Sequence, residues 1–222
     1  MLIISYYNHK TRLGKTRIQK NMRYEKGHKD TTHDRILEVA SRQFRQEGIA
    51  ASGLAGIMSE AGLTNGAFYA HFASKNEMVE KSLKRATDEQ WQWFEKEIAA
   101  GRLLDIVDAY LSEEHRDHPE SGCPSAALLP EISRQEPDTR RVYTKSMKRL
   151  LKAVEKQLPE TKGLKAREIA IATTGLLFGT LQLARAVDDP ALSEEILAAG
   201  NRVARTLIQP GKSPSRAKAR SK

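Results

Sequence analysis

From Ile36 to Ile208 the apolar residues of this chain recur three and four positions apart, and no stretch alternates with the two-residue period of a half-buried strand. That periodicity implies an all-α fold of about nine helices. The first spans about Thr32 to Gln46, with Ile36, Leu37, Ala40 and Phe44 at helical spacing and Gly48 as its stop. A short second helix, about Gly53 to Ala61, has Ser52 placed to cap it. After the turn Gly62-Leu63-Thr64 comes a third, Asn65 to Phe72. Ser74-Lys75-Asn76-Glu77 reads as a capping box, Ser74 taking the N3 amide and Glu77 reaching back, and opens a long helix towards Ala100. Leu103, Ile106, Val107, Tyr110 and Leu111 mark a fifth, ended by the polar run Glu113 to Gly122. Pro124 suits the first turn of a sixth with Ala127, Leu128 and Ile132, and Pro137 opens a seventh that ends at Pro159. An eighth runs from about Lys165 to Val187, and Asp189-Pro190 opens a ninth ending near Ile208.

A chain of 222 residues can bury a core without staples. Its single cysteine excludes an internal disulfide framework and a cysteine-built zinc site. The uncharged run Ile169 to Ala184 contains Thr173, Thr174, Thr180 and Gln182 and is shorter than the ~20 apolar residues of a membrane span, so no membrane association is expected. The net charge of +9 sits at the ends. Residues 1–30 hold eight Lys/Arg against Glu25 and Asp30, and residues 210–222 hold five and no acid. Such segments bury too little apolar surface to fold, so 1–30 is expected to be a disordered basic arm and 210–222 a disordered basic tail. Basic arms gain affinity for polyphosphates by counterion release. Met1-Leu-Ile-Ile-Ser-Tyr-Tyr reverses the order of a secretory signal, while a transit peptide and a start at Met22 both stay open.

The stretch from Ser52 to Lys75 carries the function. Two short helices joined by three residues, with a glycine in the turn, make a helix-turn-helix, whose second helix presents its N-terminal residues to base edges in the major groove. Phe68 and Phe72, one turn apart, can anchor the inner face and leave Thr64, Asn65, Ala67, Tyr69 and His71 outside. Gly66 lets the backbone approach DNA closely. Lys75 and the helix N-terminus beside it can hold a phosphate.

These residues resemble the TetR-type transcriptional repressors. The likeness runs from Arg35-Ile-Leu-Glu-Val-Ala through Phe44, Gly48, Ile57, Ala61-Gly62-Leu63-Thr64, Gly66, Phe68-Tyr69 and His71-Phe72 to Ser74-Lys75-Asn76-Glu77, covering about residues 32 to 80. It departs in the second helix, where Ser52-Gly53, Ala55-Gly56 and Met58 replace the usual hydroxyl pair, charged pair and alanine. The resemblance implies a DNA-binding domain over 31–78, with Ser52, Thr64, Asn65, Gly66, Ala67, Tyr69, His71 and Lys75 at the DNA and Tyr69 against its backbone. It also implies an effector-binding and dimerisation domain over 79–209. The expected protein is a homodimeric repressor on a palindromic double-stranded operator, released by a small-molecule effector and working in the bacterial cytoplasm at the nucleoid. No cofactor or metal is expected. The chain has no glycine-rich phosphate loop, nucleophile elbow or His-Glu-x-x-His pattern, so no enzymatic activity is expected. Two further stretches, Tyr110 to Leu128 and Leu183 to Leu197, resemble one sub-branch of the family and bring no ligand with them.

The candidates in the second domain are less specific. The eighth helix is apolar nearly all round. Gly175 and Gly179 would let a partner helix come close, and with Phe178, Gln182, Gly200 and Val203 they form the expected dimer interface. Trp91, Phe94, Tyr110, Tyr143, Met147 and Phe178 are either core packing or the lining of the effector cavity that the resemblance implies. Cys123, before Pro124, is either a small packing residue or a thiol activated at a helix N-terminus. An architectural or an oxidant- or electrophile-responsive DNA-binding protein, working through Cys123 without an inducer, is the alternative function. His115 and His118, among Glu113, Glu114, Asp117 and Glu120, read as a solvated polar loop rather than a metal site.

Overall fold

A computed structural model describes residues 26–158 and 163–209, with side chains from residue 31 onwards. The described residues form nine α-helices and two 3-10 segments, and no strand. The helices are α1 (Lys26–Glu47), α2 (Leu54–Glu60), α3 (Lys75–Ala99), α4 (Leu103–Tyr110), α5 (Glu113–Asp117), α6 (Pro124–Ile132), α7 (Pro137–Glu155), α8 (Ala166–Ala186) and α9 (Pro190–Ile208). The 3-10 segments are Asn65–Ala70 and Pro119–Ser121. Residues 1–25 of the expected arm and the whole 210–222 tail lie outside the described residues.

The signals at helix ends act as their chemistry dictates. Ser74 accepts the Glu77 amide at 3.1 Å, while Glu77 reaches back to the Ala73 amide at 2.6 Å rather than to that of Ser74 itself. Lys81 and the Ala73 amide hold the Glu77 carboxyl below the usual carboxylate range. Asp189 accepts the amides of Ala191 and Leu192 at 2.9 and 3.2 Å, and Pro190 takes the first turn of α9.

Three expectations change. α1 begins at Lys26, so residues 26–30 of the expected arm are helical. A polar segment can extend a helix nucleated further along, and apolar spacing does not register it. The Asn65–Ala70 segment is 3-10 rather than α. The polar run after Leu111 also contains a short helix, α5, which Ser112 caps by accepting the His115 amide.

Two apolar clusters organise the helices. Ile36, Ala40, Phe44, Ile57, Met58, Phe68 and Phe72 form the first, which also takes in Leu128 and Ile132 of α6. Residues of α4, α7, α8 and α9 form the second around Ile106, Tyr110, Phe178 and Leu181. α3 belongs to both, with Met78 and Leu83 in one and Phe94 and Ile98 in the other. α8 spans 21 residues and is long and apolar enough, by length and composition alone, to cross a membrane, more than its uncharged run suggested. Its Ile169, Ala170, Leu181 and Ala184 are buried in the second cluster, as in a core helix.

His115 is not part of a solvated loop. It is buried, its Nδ1 lies 2.8 Å from the Tyr110 carbonyl, and the Cys123 amide donates to its Nε2 at 3.0 Å. That pairing requires the proton on Nδ1 and ties residues 118–123 to the end of α4. Burial pulls its pKa from 6.5 to about 4, so the folded protein holds it neutral. Below pH 6.5 the unfolded chain takes up a proton that the folded one refuses. Stability is therefore full above that pH and falls towards pH 4, by on the order of 2 kcal/mol at pH 5. Urea denaturation at neutral pH and at pH 5 checks this, with His115→Gln expected to flatten the pH dependence.

Candidate nucleic-acid interface

The interface is built on two sharp turns. Gly48 (φ +89°) ends α1 and Gly62 (φ +70°) follows α2, both in the left-handed region that glycine enters without strain. Past Gly62, the Leu63 amide returns to the Met58 carbonyl at 2.9 Å, which closes α2 and aims the chain at Thr64. Phe68 and Phe72 then stack with ring centroids 5.4 Å apart, both buried, and His33 of α1 stacks on Phe72 at 4.5 Å. These rings fix which side faces out. Tyr69 is 75% exposed, the most exposed large apolar side chain among the described residues. Thr64, Asn65 and Gly66 are exposed beside it, and Ala67 and His71 are half-buried. A Cβ on Gly66 would meet no atom within 4 Å beyond its chain neighbours among the described residues, so the described fold does not demand glycine there.

Ser52 and Lys75 sit elsewhere than expected. Ser52 is fully buried, its hydroxyl donates to the Gly48 carbonyl at 2.6 Å, and Gly53 occupies the N-cap of α2. It therefore neither caps α2 nor offers a surface to DNA. The Lys75 ammonium donates to the carbonyls of Ser52 (2.8 Å) and Ile49 (3.1 Å). From the opposite side Glu131 of α6 accepts the Ala50 amide at 2.9 Å, and its other oxygen lies 2.7 Å from where a Cβ on Gly48 would sit. The turn of residues 48–52 is thus clamped between α3 and α6. Glu131, whose partner is 81 residues away, and Arg45, which donates to the Glu120 carbonyl at 2.8 Å, carry no signal in the sequence. No local pattern marks such contacts. Lys75→Met is expected to cost about 1–3 kcal/mol in urea denaturation by stranding two carbonyls. The salt slope of DNA binding should stay unchanged, because the ammonium already serves the turn.

Several cations near this face are already paired: Arg42 with Glu60, Lys81 with Glu77 (2.7 Å), Lys84 with Asp88 (2.6 Å), and Arg85 with Glu89 (3.1 Å). The exposed hydroxyl, amide and phenol groups of Thr64, Asn65 and Tyr69 are its candidate recognition surface.

Of the cavity candidates, Trp91, Phe94, Tyr143 and Met147 meet at a cleft of about 20 Å³ between α3 and α7. Tyr110 and Phe178 do not join them. They sit in the second cluster with ring centroids 6.0 Å apart, because α4 and α8 turn them inward. The dimer candidates divide in the same way. Gly175, Gly179 and Val203 face outward, alongside the half-exposed Ile171 and Leu183, which the sequence reading had not placed there. Gln182 is half-buried and donates to the Ala126 carbonyl at 3.1 Å. Phe178 is buried in its own core, and Gly200 is buried where a Cβ would overlap Thr180, so α9 packs closely on α8 there. Cys123 is 2% exposed, its Sγ 3.5 Å from Gln90 Oε1, a packed position rather than an open one. Among the described residues no group of three His, Cys, Asp or Glu side chains is placed to hold a metal.

Fold and recognition face together define an all-α helix-turn-helix protein. Residues 36–81 match the family of bacterial regulatory proteins, tetR family. The HTH-type transcriptional repressor KstR2 of Mycobacterium tuberculosis is 34% identical over 83 residues, 37% of this chain and 37% of that protein. The matched region thus spans little more than a third of that relative. Escherichia coli NemR in its reduced form shares the fold at a TM-score of 0.70 with 20% identity, over 82% of this chain and 100% of that one. FadR of Bacillus subtilis, solved in complex with stearoyl-CoA, does so at 0.58 with 18% identity, over 80% and 98%. The likeness to the tetR family of bacterial regulatory proteins thus covers residues 36–81 in sequence and about four fifths of the chain in fold.

Proposed function

We propose that the protein is a homodimeric repressor that binds a palindromic operator through Thr64, Asn65, Gly66 and Tyr69 and leaves it when a small molecule enters the second domain. The observation that carries this reading is the polarity of the recognition segment, with Phe68 and Phe72 buried beneath an exposed Tyr69. A repressor reading two half-sites about 34 Å apart needs a two-fold dimer, and the exposed Ile171 and Leu183 of α8, with open space at Gly175 and Gly179 between them, support α8 as the face that meets a second copy. FadR, of the same fold, binds stearoyl-CoA, which supports a ligand in this domain. The site of action is the bacterial cytoplasm.

The mechanism is a two-state one. A ligand shifts the equilibrium only by its differential affinity for the two states. One entering between α3 and α7 favours a tilted α3. The N-terminus of that helix is tied to the turn of residues 48–52 by Lys75, so tilting it re-aims the recognition segment. Sequencing the genomic DNA fragments that the purified protein retains tests the reading. An enriched palindrome is expected, and retention without sequence preference would overturn it.

A further inference from the structure

The cleft between α3 and α7 has an uncharged lining. Thr87, Gln90, Ser125, Tyr143 and Ser146 provide its polar groups, the rest of its wall is mainly apolar, and none of the described residues lining it is Asp, Glu, Lys or Arg. Tyr143 already donates to Ser125 Oγ at 3.1 Å, and burial pushes its pKa up to about 12, which keeps the phenol neutral. Trp91 differs. It is 8% exposed and lines the cleft, yet its indole Nε1–H has no acceptor among the described residues. A buried donor left unmet forfeits the hydrogen bond it made to water, so the site is chemically incomplete. The cation in contact with Trp91, Arg149, lies over the ring at 4.1 Å from its centroid, is half-exposed, and has Glu95 3.7 Å away.

We propose that this cleft takes an uncharged, mainly apolar molecule carrying one oxygen acceptor, a carbonyl or its like, for the Trp91 indole. A carboxylate would lose its hydration here with no counter-charge in the lining to offset the loss. A pure hydrocarbon would leave the indole unmet. At about 20 Å³ the cavity now has room for roughly one water, so such a molecule must part α3 from α7 as it enters. Its affinity is thereby coupled to the position of α3. The inference rests on the effector reading above and adds the ligand's chemical class.

Acetophenone, benzoate and ethylbenzene share a phenyl ring and nearly one size, and differ only in charge and acceptor. Calorimetric titration of each into the full-length protein should rank acetophenone about tenfold or more ahead of both others, a gap of about 1.4 kcal/mol. Trp91→Phe, with helicity checked by circular dichroism, should erase the preference for acetophenone over ethylbenzene. If that variant does not fold, the wild-type ranking alone decides. Benzoate binding as tightly as acetophenone, a preference that survives Trp91→Phe, or no binding of any of the three up to their solubility limits would each overturn the proposal. Acetophenone that binds and leaves the operator held would support the ligand class and overturn the effector reading.

Discussion

Replacing Asn65 and Tyr69 together by alanine is expected to lower operator affinity by about two to three orders of magnitude, since contacts of this kind contribute about 1–3 kcal/mol each. Fold and association should be untouched. Asn65 is exposed, and Tyr69 meets Phe68 only edge-on, with centroids 5.2 Å apart, while Phe68 and Phe72 hold the segment from beneath. Fluorescence anisotropy on a labelled operator gives the affinity, and circular dichroism with sedimentation gives helicity and mass. Wild-type affinity in the double variant would remove the recognition segment from the DNA. Tyr69→Phe separates the contributions of the phenol, because it keeps the ring and loses only the hydroxyl.

Two glycine substitutions should have large effects of opposite kinds. In Gly200→Leu the new Cβ would overlap Thr180, a β-branched side chain with little freedom to move, at the packing of α9 on α8. Thermal stability should fall by about 3 kcal/mol or more, as overpacked interiors do. In Gly179→Leu the new Cβ would meet nothing within 4 Å beyond its own stretch of helix among the described residues, so the subunit should fold normally. A second helix lying on that face would be pushed away, and sedimentation should show a monomer with operator binding lost. A Gly179→Leu dimer at micromolar concentration would place the interface elsewhere.

The parts of this fold legible in the sequence are those whose causes lie close together along the chain. α3 announces its start through Ser74 and Glu77, and the recognition segment through Phe68, Phe72 and the turn at Gly62, all within one short window. What stayed hidden had distant causes. Ser52 looks like a cap and Lys75 like a phosphate ligand until the turn between α1 and α2 brings them together across 23 residues. On α8 the apolar residues run nearly all round, so nothing local distinguishes the inward Phe178 from the outward Gly179. Gly200 is small for a reason that lies on another helix. The effector candidates were divided by contacts between distant helices, which bring Trp91, Phe94, Tyr143 and Met147 to the cleft and turn Tyr110 and Phe178 into the second cluster.

The clamp on residues 48–52 bears on how far the reading head can be treated as a cassette. A chimaera cut after residue 83, the last α3 residue of the first cluster, would carry Lys75 with the DNA-binding helices but leave behind Glu131, which holds the Ala50 amide, and Leu128 and Ile132, which complete that cluster. The recipient scaffold would have to supply an acceptor and two apolar side chains at matching places. Transplanting this operator specificity therefore requires moving the C-terminal half of α6 along with the helix-turn-helix, although the two are far apart in sequence.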